Sequence, residues 1–105
     1  MQDIKKLLGK RIRELRKLRN LTQEELAETL GIGVANISYI ETGRFAPSVE
    51  TLTKLSEAFN LPVYEFYMFE HLKPLDDIRK ELIDALRRDD KLTENMYRLY
   101  LVMGR

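Results

Sequence analysis

The chain has 105 residues, 44% of them hydrophobic and 33% charged, with a net charge of +1 and no cysteine. This apolar content is enough for a packed core of one domain, or of one domain with a small appendage, and the lack of cysteine excludes disulfides and thiolate metal sites. The charged N-terminus is unlike a signal peptide and no stretch approaches the roughly 20 apolar residues of a membrane span, so we expect a cytoplasmic protein without membrane contact.

The first predicted helix runs from about Ile4 to Leu18, because its apolar residues recur at helical spacing. Residues 1–20 contain eight Lys and Arg against two acidic residues, a net charge of +6, whereas residues 21–70 contain two basic and eight acidic residues. This asymmetry is typical of a protein that contacts phosphate on one side. A solvated basic face is the alternative interpretation.

Residues 22–43 have the pattern of two short helices joined by a tight turn. Thr22 and Glu25 have the spacing of a capping box at the start of the first of these helices. Gly31 ends that helix and can take the positive φ that turns the chain, and the next helix stops at Gly43. Such a pair presents its second helix outward, and an α-helix has the width of a DNA major groove.

The remaining pattern is helical as well. A fourth helix opens at Ser48 and a fifth begins at Pro62. Beyond Pro74, two apolar stripes separated by a polar break predict a helical hairpin, which we expect to pack against helix five or against a second copy of itself. The residues assigned to dimerisation are Leu75, Ile78, Leu82, Leu92, Met96 and Leu99.

A resemblance to a known family rests on the segments IRELRKLRNLTQEELAETLGI, ISYIETG and PSVETLTKLSEAFNLPVYEF. They resemble the DNA-binding domain of the lambda-repressor and Cro-like (XRE-type) helix-turn-helix regulators. The resemblance implies an all-α fold, with a five-helix DNA-binding bundle over residues 1–70 and a two-helix C-terminal hairpin over residues 71–105. The hairpin is similar to the dimerisation hairpin of SinR-type regulators.

The resemblance also implies roles for particular residues. In the family, Gln23 bonds a phosphate, and the backbone of Gly43 and the side chain of Arg44 meet phosphate beyond the recognition helix. Arg16 and Glu41 tend to form a partly buried ion pair that ties helix one to the end of helix three. Two unrelated surface charges are the alternative interpretation of Arg16 and Glu41.

The chemistry of the recognition helix extends this assignment. Val34 and Ala35 can contact only a thymine methyl group, whereas Asn36 can pair bidentately with adenine and Ser38 can bond several base edges. Tyr39 is assigned to a phosphate through its hydroxyl, with stacking left open. The full set of predicted DNA-contacting residues is Gln23, Val34, Ala35, Asn36, Ser38, Tyr39, Gly43, Arg44, Lys10 and Arg11.

We interpret the sequence as that of a homodimeric, sequence-specific transcriptional regulator, a repressor that binds an inverted repeat in double-stranded DNA. An antagonist protein would be a further partner. The alternative is a protein-interaction module, such as an antitoxin or adaptor, which the apolar Val34 and Ala35 favour. The sequence contains neither a nucleophile paired with a base nor a glycine-rich phosphate loop, so we do not predict an enzyme. His71 is the single histidine and has no second metal ligand near it in the sequence, so no metal or cofactor is predicted.

Overall fold

The structure, a computed structural model, describes residues 3–104. Over that range every regular element is helical: α1 (Ile4–Leu18), α2 (Gln23–Leu30), α3 (Val34–Glu41), α4 (Val49–Phe59), a 3₁₀ helix (Val63–Tyr67), α5 (Leu75–Arg88) and α6 (Asp90–Met103). The chain divides into two compact units between Leu72 and Lys73. The first unit therefore contains the predicted helix-turn-helix, and the second contains the predicted hairpin.

The predicted fifth helix of the bundle is a 3₁₀ helix rather than an α-helix. The segment Val63–Tyr67 contains four β-branched or aromatic residues, which have weak helix propensity, and its first turn has no side-chain cap. Its position is fixed by packing instead. Phe66 is completely buried, and its ring stacks on Phe59 with 6.0 Å between the centroids.

Local sequence sets the ends of the first four helices. The predicted capping box is present: the Thr22 hydroxyl accepts a hydrogen bond from the backbone N–H of Glu25, whose side chain accepts one from the N–H of Thr22. Each of α1 to α4 is followed by a residue with positive φ, which reverses the chain direction within two residues. These residues are Asn20, Gly31, Gly43 and Asn60, and no other described residue has a positive φ.

The core of the first unit lies where its five elements meet. Each element supplies one of the most completely buried side chains, namely Ile12, Leu26, Ile37, Leu55 and Phe66. Because every element contributes to the same cluster, the position of each helix depends on the others. The relative position of α2 and α3 is therefore fixed by packing against the other elements of the first unit.

Helices α1 and α3 approach each other closely at Gly9. A Cβ atom at this position would lie 2.2 Å from the carbonyl oxygen of Ile40 and 2.7 Å from that of Glu41. No side chain could occupy this space without moving the backbone of α3. The glycine thus permits α1 to cross directly over the last turn of α3.

The second unit is a pair of helices with a shared apolar seam. Asp89 begins α6, and its carboxylate accepts a hydrogen bond from the N–H of Leu92. Neither helix contains a buried residue, and Leu82 and Leu99 are each 48% exposed. Between the helices lies an open groove of about 560 Å³ lined mainly by apolar side chains. The predicted dimerisation residues are thus largely accessible within this unit.

Candidate nucleic-acid interface

Helix α3 has one face in the core and one face accessible. Ile37, Ile40 and Glu41 are buried. The predicted DNA-contacting side chains of α3 lie on the other side: Val34, Ala35, Asn36 and Tyr39 are exposed and Ser38 is half-buried. The sequence predicts that these five residues act together, and the structure brings them onto one accessible surface, which we call the recognition face.

A buried ion pair fixes the end of α3 against α1. The Arg16 guanidinium donates from Nε to Oε2 of Glu41 at 2.7 Å and from Nη2 to Oε1 at 2.9 Å. Its Nη1 donates to the carbonyl oxygen of Leu21 at 2.7 Å, so the arginine spans three segments of the chain. The hydrogen bonds to Glu41 raise the pKa of Arg16 above its usual value, and the guanidinium therefore stays charged.

Gln23 is joined to this ion pair. Its Nε2 donates to Oε1 of Glu41 at 3.1 Å, and the side chain is half-buried. Gln23 is the first residue of α2, so the hydrogen bond places the start of α2 beside the end of α3. The sequence does not predict this hydrogen bond, because no local spacing relates positions 23 and 41.

The chain leaves α3 in a Schellman motif. The N–H of Gly43 donates to the carbonyl of Ile40 at 3.1 Å, and the N–H of Arg44 donates to the carbonyl of Tyr39 at 2.9 Å. Gly43 has a φ of 76°, and a Cβ there would lie 2.6 Å from Cγ of Lys6. The phosphate contact of the Gly43 backbone stays a prediction; the structure places this residue in a buried position and uses its N–H within the motif.

Arg11, for which the sequence predicts a phosphate contact, makes several contacts within the first unit. Its Nε donates to the carbonyl of Glu65 at 2.9 Å, and its Nη1 donates to the carboxylate of Glu14 at 2.5 Å. Its side chain is only 12% exposed. Arg11 therefore links α1 to the 3₁₀ helix instead of facing solvent, while Lys10 beside it is exposed.

Glu14, which accepts a hydrogen bond from Arg11, also contacts His71. The Nε2 atom of His71 lies 2.7 Å from Oε1 of Glu14. Partial burial raises the pKa of Glu14, but the hydrogen bonds from His71 and Arg11 outweigh it and hold the pKa below its usual value. The cluster connects α1 to the residues that precede the end of the first unit.

Residues 3–104 include no group of three or more His, Asp or Glu side chains placed to hold a metal ion. Within the same residues, every helix is too short or too polar to cross a membrane. The recognition face and the residues beside it are thus the candidate functional site of the first unit.

Comparison with known proteins places the first unit in a family. Residues 12–66, which are about half of the chain, match the helix-turn-helix family. The chain belongs to this helix-turn-helix family. An uncharacterized HTH-type transcriptional regulator of Archaeoglobus fulgidus is 35% identical to it over 60 residues, which are 57% of this chain and 84% of the relative.

A second relative and a solved structure extend the comparison. The cryptic phage CTXphi transcriptional repressor RstR of Vibrio cholerae is 36% identical over 59 residues, 56% of this chain and 53% of that repressor. A chain of the SinR–SinI protein complex shares the fold with a TM-score of 0.58 at 24% identity, over 93% of this chain and 99% of that one. The family match and the relatives named as regulators make this chain a transcriptional regulator with a helix-turn-helix DNA-binding domain and not an enzyme.

Proposed function

We propose that this regulator is a repressor that binds an inverted-repeat operator as a homodimer in the cytoplasm. The recognition face of α3 carries the proposal, because it gathers exposed side chains on a helix whose opposite side is fixed in the core. Such a helix can enter a major groove without rearrangement of the domain. The relative RstR is named a transcriptional repressor, which supports repression over activation for this chain.

Phosphate contacts would come from residues that flank the recognition face. Gln23 lies at the start of α2, Arg44 lies beyond α3, and Lys10 is exposed on α1. Each phosphate neutralised by a cation adds about 0.9 to the slope of log affinity against log salt concentration. We therefore expect binding that weakens steeply with salt and depends on Arg44 and Lys10 in both subunits.

Base contacts would be few. Asn36 can pair bidentately with adenine, and Ser38 can bond several base edges. Val34 and Ala35 can contact thymine methyl groups, and Val34 is 43% exposed and available for this. With a single bidentate candidate, a large share of the sequence preference would come from DNA shape and deformability.

The hairpin would join the two subunits. Its groove is lined by apolar residues such as Leu82, Met96 and Leu99, and nothing within the hairpin covers it. A second copy would remove this apolar surface from water, which stabilises the assembly by about 25 cal/mol per Å². Two recognition helices held in this way would meet half-sites about 34 Å apart on one face of the duplex.

The proposal is tested by selecting bound fragments from random DNA with the purified protein at about 50 and 200 mM salt, because several phosphate contacts lose orders of magnitude in affinity between these concentrations. We expect an inverted repeat that survives the higher salt. Gln23→Ala and Arg44→Ala should weaken binding to it, whereas Lys91→Ala, at an exposed position of the hairpin, should not. Recovery of no motif at either salt concentration would contradict the proposal.

A second candidate function is protein binding, as in an antitoxin or adaptor. The observation that favours it is the apolar character of Val34 and Ala35 at the exposed start of α3. An antagonist protein could act on the same regulator by binding the hairpin groove. If Gln23→Ala and Arg44→Ala leave regulation in cells unchanged, protein binding is the better account.

A further inference from the structure

Three side chains form a stack beside the recognition face. The Arg44 guanidinium carbon lies 4.7 Å from the centroid of the Tyr39 ring. The Phe45 ring packs against the same tyrosine edge-on, with 5.5 Å between the centroids and 61° between the ring planes. Tyr39 is therefore enclosed on two sides by residues that follow α3, and this geometry is typical of cation–π and aromatic pairs.

The backbone that ends α3 produces this stack. In a Schellman motif, the second residue after the helical cap lies over the third residue from the helix end, and the two side chains usually make an apolar contact. Here those two positions are Arg44 and Tyr39, which are joined by the 2.9 Å backbone hydrogen bond. The cation thus occupies the place of the usual apolar partner, and the positive φ of Gly43 maintains it there.

The charge of Arg44 is not neutralised by the part of the chain that the structure describes. The ion pairs among residues 3–104 do not include Arg44, and neighbouring Glu41 is buried in its bonds to Arg16 and Gln23. Stacking occupies a flat face of the guanidinium and leaves the N–H donors along its edge available. The guanidinium has five N–H donors in a planar fork, and pairs of them match the spacing of phosphate oxygens.

We propose that Tyr39 is a positioning residue for DNA binding: its ring, supported by Phe45, holds Arg44 in place for a backbone phosphate. This inference rests on the proposed DNA-binding function. It differs from the sequence-based assignment, in which the hydroxyl of Tyr39 itself contacts the phosphate. The ring is required and the hydroxyl is not.

Such a stack raises the affinity for DNA because it restricts the Arg44 side chain to one conformation in the free protein. A free arginine side chain samples many rotamers and loses them when it binds. An arginine already fixed on an aromatic ring loses fewer rotamers, so more of the energy of the phosphate contact contributes to affinity. The effect of Tyr39 should therefore disappear when Arg44 is absent.

A double-mutant cycle tests this dependence in the full-length protein, with a DNA fragment recovered by selection. We expect Tyr39→Phe to change affinity by less than about twofold and Tyr39→Leu to weaken it by about two- to fivefold for each half-site. Arg44→Ala should weaken binding further and lower the salt slope by about 0.9 for each half-site. Tyr39→Leu added to Arg44→Ala should cause no additional loss.

A matched control and a readout without DNA complete the experiment. Tyr64→Leu removes a ring that is 67% exposed in the 3₁₀ helix and should leave DNA affinity unchanged. In the free protein, the ring current of Tyr39 should shift the Cδ proton signals of Arg44 upfield in NMR spectra. The shift should persist in Tyr39→Phe and vanish in Tyr39→Leu.

Several outcomes would overturn the inference. Tyr39→Phe binding as weakly as Tyr39→Leu would make the hydroxyl the contact. Additive losses in the double variant would show that Tyr39 acts without Arg44, and an absent ring-current shift would show that the stack does not form in solution. If the wild-type protein selects no DNA sequence, the proposed function fails as well, whereas additivity alone removes only the positioning role.

Discussion

Arg16 and Glu41 are 25 positions apart in the chain, yet they meet through two parallel hydrogen bonds inside the domain. Their side chains are 9% and 2% exposed, and Glu41 also accepts a hydrogen bond from Gln23. No buried polar side-chain atom among the described residues lacks a partner. The pair therefore joins α1, the start of α2 and the end of α3 in one fully satisfied network.

Removing one member of this ion pair should strongly destabilise the folded protein. Glu41→Ala would leave the Arg16 guanidinium buried without its counter-charge, and we expect a loss of about 3–5 kcal/mol in the free energy of unfolding. Urea denaturation of the variant and the wild-type protein measures this loss. Glu28→Ala, at an exposed position of α2, is the matched control and should stay within about 0.5 kcal/mol of the wild type. A loss below about 1 kcal/mol for Glu41→Ala would contradict burial of the pair.

Gly9 should be intolerant of any side chain. Its absent Cβ would lie 2.2 Å from the carbonyl oxygen of Ile40, so Gly9→Ala must displace α3 and should cost about 1–3 kcal/mol or more. Thermal unfolding followed by circular dichroism measures the change. In contrast, Gly33→Ser meets no atom closer than 3.9 Å and places a hydroxyl at the uncapped start of α3. We expect Gly33→Ser to be neutral or slightly stabilising, and equal losses in both variants would argue against this geometry.

Stability should depend on the ionisation of Glu14. Its pKa is lowered in the folded protein because the hydrogen bonds of His71 and Arg11 outweigh its burial. A carboxyl with a lowered folded-state pKa stabilises the protein above its unfolded value of 4.5, and this stabilisation is lost as the pH falls through the lower, folded value. The free energy of unfolding of the wild type should therefore decline more steeply below pH 4.5 than that of Glu14→Gln.

Urea denaturation at a series of acidic pH values tests this expectation. Glu57→Gln, which changes an exposed carboxyl on α4, should retain the pH dependence of the wild type. Parallel curves for the wild type and Glu14→Gln would show that the His71 and Arg11 contacts do not stabilise the charged form.

The apolar groove of the hairpin should be sensitive to charge. Met96→Glu places a carboxylate in the groove lining and should convert a dimer to a monomer, because a buried unpaired charge is costly. Val102→Glu adds the same charge on α6 at a side chain that is 79% exposed and does not line the groove. Light scattering after size-exclusion chromatography gives the mass of each variant. A Met96→Glu protein that remains dimeric would exclude the groove from the subunit contact.

Much of the fold follows from short stretches of sequence. Thr22 and Glu25 specify the start of α2 by their spacing, and Gly31 specifies its end, since these features involve neighbours in the chain. The same local spacing predicts that Ile37 and Ile40 of α3 are buried and that its first residues are exposed, as the structure has them. The 3₁₀ helix was harder to predict, because packing around Phe66 and not local propensity decides its geometry.

The contacts near the candidate site that the sequence does not predict have a common physical origin. Arg11 belongs to a basic helix, and it binds Glu65, which lies 54 positions away in the chain. The close approach at Gly9 likewise depends on a carbonyl of α3 that no local pattern reveals. Contacts between distant segments are invisible to periodicity and charge counting. The stack of Arg44 on Tyr39 could have been inferred, since Gly43 and its neighbours carry the motif that creates it.

Helix α3 is anchored from its fourth residue onward, because Ile37, Ile40 and Glu41 are buried, while its first three residues carry exposed side chains. Residues 34–36 can therefore be exchanged by mutation at little cost to folding, because surface substitutions rarely change stability by more than about 0.5 kcal/mol. Natural selection could alter the DNA preference of such a domain one codon at a time, without passing through unfolded intermediates. Duplicated copies of this gene would be well suited to diverge toward separate targets.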